Sequence, residues 1–102
     1  MSFNHTLTAL YTRIPRRHTA DNVKELFAIL DEYEDILREI ESTTEYEKAV
    51  AIYFDDLETV RETIKNSSAN KHSKPAKDKL FDEGSGMLKD SMDNLLQLFT
   101  NS

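Results

Sequence analysis

Three histidines, His5, His18 and His72, are the side chains best suited to proton transfer or metal binding near neutral pH. All three fall near expected segment ends or in the linker. None has the Glu-x-x-His spacing that puts two ligands on one face of a di-iron bundle helix, and no His-Glu-x-x-His run occurs. Cysteine is absent, which excludes disulfides, zinc–thiolate sites and thiol catalysis. Gly84-Ser85-Gly86 lacks the Gly-x-Ser-x-Gly elbow and the strand that must precede it. Its expected role is a hinge or a helix cap. Carboxylates used for proton transfer must project inward, where burial shifts their pKa. Here almost all of the 19 Asp and Glu residues take outer positions of the apolar pattern. The expectation is a protein that is not an enzyme, with no cofactor and no metal.

Recognition chemistry is better represented. Tyr33, Tyr46 and Tyr53 lie on the apolar seam of the central segments. A tyrosine hydroxyl needs a polar partner, so seam tyrosines belong at core edges or at interfaces; both readings stay open. The candidate partner-binding residues are Phe27, Tyr33, Ile36, Tyr46, Tyr53, Met92, Leu96 and Phe99. A second set, Asp31, Glu32, Asp35 and Glu39, forms an acidic face that could imitate nucleic acid. The basic turn Arg13, Arg16, Arg17 and His18 could hold a phosphate or an acidic partner, or pair with the chain's own acids.

Charge supports that division. The 102 residues carry 13 Lys and Arg against 19 Asp and Glu, a net −6. Residues 1–24 sum to +3, residues 25–66 to −9 and residues 67–102 to zero. So acidic a chain argues against nucleic acid as a partner, since polyanion binders are usually basic. No apolar run is long enough to span a membrane. The acid-free residues 1–20 resemble a transit peptide in composition, but a short helix and a basic loop explain them as well. A cytoplasmic or intracellular location is expected.

The elements that must position these residues are helices. Gly and Pro number two each, too few for a many-turned β fold. Residues 1–14 place Phe3, Leu7, Leu10 and Ile14 at helical spacing, with Pro15 ending the segment. In residues 19–41, Val23, Leu26, Leu30, Tyr33, Leu37 and Ile40 follow an a/d heptad, with Thr19 or Asp21 as cap. Phe27, Ile29 and Ile36 make the stripe wider than a two-stranded seam needs.

Residues 44–66 carry a second seam through Val50, Leu57 and Ile64. Ser42 with Glu45, or Thr44 with Glu47, fits a capping box at its start. This seam is one residue out of phase with the first. A one-residue slip rotates the stripe by about 100°, so an antiparallel hairpin fits better than one continuous rod. Ala49 to Phe54 is apolar nearly all round and is expected to be central. Residues 67–75 are a polar linker, and Pro75 suits a first helical turn capped by Ser73. Residues 76–100 form a C-terminal helical segment with a break expected at Gly84-Ser85-Gly86, either docked on the hairpin or swapped onto a second copy.

The expected fold is one all-α domain, an antiparallel helical hairpin with shorter flanking helices forming a small bundle. The expected function is non-enzymatic: a protein-interaction module of adaptor, effector or inhibitor type, binding a protein partner through an apolar helical face, with a homo-oligomer among the outcomes. The alternative is an inhibitor that mimics nucleic acid with the acidic face of residues 25–66.

Overall fold

A computed structural model describes residues 3–15, 17–42, 47–69 and 72–100. All regular structure among them is helical: α1 (Phe3–Arg13), α2 (Ala20–Glu41), α3 (Ala51–Ser67) and α4 (Lys74–Thr100). The molecule measures 44 × 22 × 19 Å, so its long axis is about the length of α4 at 1.5 Å per residue.

Local chemistry explains most of the boundaries. Pro15 cannot donate to a helical ladder, and α1 ends at Arg13. Thr19 caps α2 by accepting from the Asn22 amide at 3.0 Å. Ser73 caps α4, its hydroxyl accepting from the Ala76 amide at 3.4 Å, with Pro75 in the first turn. Ser42 acts differently from expectation. It closes α2 instead of opening α3: its amide bonds to the Arg38 carbonyl and its hydroxyl donates to the Glu39 carbonyl at 2.6 Å. Helix α3 starts at Ala51, later than the expected residue 44, because residues 47–50 are in turns. Val50 precedes it without any side-chain cap. Thr44 of the second capping box lies outside the described residues.

Helices α1 and α2, α2 and α3, α3 and α4, and α4 and α1 pack on one another, which closes the bundle. The closest hairpin is α3 with α4, not α2 with α3. Gly84 is one point of close approach between α3 and α4. A Cβ there would sit 2.4 Å from Ile64 Cδ1, so the absent side chain lets the α4 backbone come against α3. The expected break at Gly84-Ser85-Gly86 is therefore a correction: α4 runs unbroken through it. The glycine serves close packing, whose gain offsets the ~1 kcal/mol that glycine costs a helix relative to alanine.

The core draws on all four helices. Leu7, Leu26, Leu30, Tyr33, Leu37, Leu57, Ile64, Phe81, Leu88 and Met92 are fully buried. The Ser85 hydroxyl is also buried and has no hydrogen-bond partner among the described residues.

Two substitution experiments follow. Leu30→Ala or Leu57→Ala should each cost roughly 2–5 kcal/mol, the usual penalty for a cavity of that size, read as a lower denaturant midpoint. The two glycines should respond with opposite signs. Gly86 has open space around its Cβ position, so Gly86→Ala should stabilise by about 0.5–1 kcal/mol through helix propensity. Gly84→Ala should destabilise, because the new methyl meets the fully buried Ile64. Equal melting shifts for the two variants would refute the close-packing role of Gly84.

Candidate functional site

The apolar run at the start of α3 holds more hydrophobic surface than one helix face can bury. Val50 goes into the core, Tyr53 and Phe54 are half-buried against it, and Ile52 is left 62% exposed. Ile52 is the most exposed large hydrophobic side chain among the described residues. The run is packed on two sides, as its central placement requires, but it is not covered all round. Although α3 packs on both α2 and α4, the Ile52 side stays open.

Helical spacing extends that open side. Ile52, Asp56 and Thr59 stand at i, i+4 and i+7, one stripe of α3. On α4, Met87, Ser91, Asn94 and Leu98 stand at i, i+4, i+7 and i+11. The antiparallel register, marked by Ile64 against Gly84, sets the two stripes side by side. Between them lies a cleft of about 220 Å3, lined by Asp56, Thr59, Met87, Asp90, Ser91 and Asn94. Asp56 and Asp90 have no cationic partner within ion-pair reach among the described residues.

A buried polar contact supports the lining. The Tyr33 hydroxyl of α2 meets the Ser91 hydroxyl of α4 at 2.8 Å. Burial pushes the Tyr33 phenol well above its ordinary value; the Ser91 hydrogen bond opposes this, and the Asp56 charge adds to it. The Tyr53 phenol is also raised, by burial first and then by Asp56.

The partner-binding candidates named from sequence separate accordingly. Tyr33 and Met92 are fully buried and Ile36 nearly so, which removes all three from the accessible surface. Phe27, Tyr53 and Leu96 are half-buried on the core's edge. Tyr46 and the Phe99 side chain lie outside the described residues. Asp56, Thr59, Asp90 and Asn94 were not singled out by sequence, since each reads as an ordinary solvated position. Ile52 was legible as the surplus in the apolar run, but its placement needed the register with α4.

The acidic face of α2 is partly neutralised from within. Arg13, the last residue of α1, bonds to Glu25 at 2.9 Å and Glu32 at 2.8 Å. Those two hydrogen bonds, Glu25 first, raise its guanidinium further above its ordinary value. Arg61 of α3 reaches Asp31 and Glu34, each at 3.2 Å, and Glu58 at 3.1 Å. Asp35 and Glu39 remain exposed. In the basic turn, His18 Nδ1 lies 3.0 Å from Asp78 Oδ1 and its ring rests on Phe81 with centroids 5.3 Å apart. A second cleft, of about 310 Å3, opens there between Arg17, His18, Thr19, Lys74, Asp78 and Asp82. Its charges are mixed in sign. Arg16 lies outside the described residues.

Among the described residues no group of three His, Asp or Glu side chains is placed to hold a metal ion, and no helix is long and apolar enough to cross a membrane. No family model, curated protein or solved structure matches the chain.

The raised Tyr33 phenol gives an alkaline signature. In the unfolded chain this group ionises near its ordinary value of 10.0, while in the fold it stays protonated above that. The unfolded state therefore loses its proton first, and the stability linked to Tyr33 is intact below about pH 10 and falls as pH rises beyond it. Tyr33→Phe should flatten that part of the pH–stability curve, measured by urea unfolding from neutral pH upward. A wild-type curve with no greater alkaline loss than Tyr33→Phe would contradict the buried placement of Tyr33.

Proposed function

We propose that the protein is a non-enzymatic interaction module, of adaptor, effector or inhibitor type, that binds a protein partner through an apolar helical face. The observation that carries this reading is Ile52. It stands 62% exposed on a well-packed helix, with half-buried Tyr53 and Phe54 beside it. A single exposed aliphatic residue is ordinary. One continuous with half-buried aromatic side chains and a cleft has the anatomy of a contact surface, apolar at its centre and polar at its rim.

The second reading, an acidic mimic of nucleic acid, is weaker. Of its four named carboxylates, Asp31 is engaged by Arg61 and Glu32 by Arg13. A mimic of a phosphate row needs charges that face outward and stay unpaired.

Photo-crosslinking tests both readings. A photoreactive amino acid at position 52 should give a protein adduct in the cell, and one at position 39 should not. Adducts from position 39 alone would favour the acidic face; none from either position would remove both. Ile52→Asp should change stability by no more than about 0.5 kcal/mol, as exposed substitutions do, and should abolish formation of the adduct's parent complex.

A further inference from the structure

Resting on that reading, the groove between α3 and α4 specifies its occupant. We infer that it receives an amphipathic helix of a protein partner, with a Lys or Arg side chain seated between Asp56 and Asp90 and apolar side chains of the same helix on Ile52 and Met87.

The size of the cleft favours a side chain. Small-molecule pockets run from about 300 to 1,000 Å3, and this cleft holds about 220 Å3. That is several times the ~30 Å3 share of one water, which suits one long side chain entering from a partner. The lining selects its charge. Asp56 and Asp90 face the cleft without a described cation near either. Lys89, although next to Asp90 in sequence, lines a different cleft with Tyr11, Thr12 and Ile14. Asp55 and Asp93, the sequence neighbours of Asp56 and Asn94, are exposed and add to the negative charge of this part of the surface. Met87 offers an apolar wall for an aliphatic stem. Thr59, Ser91 and Asn94 supply oxygens that can accept from an ammonium or guanidinium group.

The order of features along the groove selects a helix. Ile52 lies at one end, the two aspartates in the middle and Met87 at the other end. By the antiparallel register of Ile64 with Gly84, Met87 stands opposite position 61, so these ends are nine residues of α3 apart, about 14 Å. About two and a half turns of a partner helix present apolar, cationic and apolar side chains over that span, the helix-in-groove mode with anchors repeated at i, i+3/i+4 and i+7.

The full chain can be tested against a displayed library of randomised helical peptides. Wild type should enrich peptides with one Lys or Arg between two apolar positions. Asp56→Asn with Asp90→Asn, checked to melt like wild type, should bind those peptides about tenfold or more weakly, as loss of partners to a seated charge requires. Selection on Asp56→Lys with Asp90→Lys should return acidic residues at the same central position. Enriched peptides that need Ile52 but lack the cation would overturn this inference and leave the docking reading intact. If no peptide prefers wild type over Ile52→Asp, the docking reading falls as well. A chain that sediments as a dimer, and as a monomer once Ile52→Asp is made, would place a second copy in the groove and also overturn the inference.

Discussion

The contact of Gly84 with Ile64 governs the rest of the molecule. A side chain at residue 84 would overlap Ile64 Cδ1 at 2.4 Å, so with Ile64 placed as it is, glycine lets α3 and α4 approach closely at this point. That approach sets their register, and the register places Ser91 where the hydroxyl of Tyr33, from a third helix, reaches it at 2.8 Å. The open stripes of the pair are placed by the same register. The close approach at Gly84 belongs to the same antiparallel pairing that carries the Tyr33–Ser91 hydrogen bond and the outer groove. Ser85 marks a cost of this arrangement: its hydroxyl is buried without a partner among the described residues, a penalty of about 1–3 kcal/mol that the packing around it must exceed.

Periodicity made the all-α class and the buried faces legible, because a 3.6-residue apolar repeat has few other solutions. Val23, Leu26, Leu30, Leu37, Leu57, Val60 and Ile64 are buried as their spacing implies. Start signals with a side-chain mechanism were legible too, as Thr19 and Ser73 show. What failed was any inference requiring a neighbour. A Gly-Ser-Gly triplet has the same local propensity whether it breaks a helix or admits a partner, and only Ile64 decides between them. Ser42 likewise fits the start of one helix and the end of another, and the carbonyls of Arg38 and Glu39 decide that case.

The candidate site was half legible for the same reason. The surplus of apolar residues at Ala49–Phe54 was visible, yet periodicity cannot say whether a surplus is covered by the chain's own elements or left open. Tyrosines on the seam were ambiguous between core edge and interface. The structure divides them by depth: Tyr33 is fully buried and hydrogen-bonded, and Tyr53 is half-buried. The aspartates of the groove could not be distinguished from other surface acids until α4 was laid beside α3.

Charge then separates two faces that composition merges. The −9 of residues 25–66 reads as one acidic block, but Arg61 turns toward α2 and spends its charge on Asp31, Glu34 and Glu58. Arg13 does the same for Glu25 and Glu32. Exposed pairs of this kind add little to stability, typically 0–1 kcal/mol each. Their larger consequence is for the field outside the molecule. They quieten the α2 face, while Asp56 of α3 and Asp90 of α4 have no cationic partner among the described residues and stand beside exposed apolar surface. Long-range attraction from the α2 acids is screened within about 8–10 Å at physiological salt. Under the docking proposed above, a cation desolvated in the α3–α4 cleft escapes most of that screening, so in that reading the modest acidity of the groove outweighs the larger formal charge of α2.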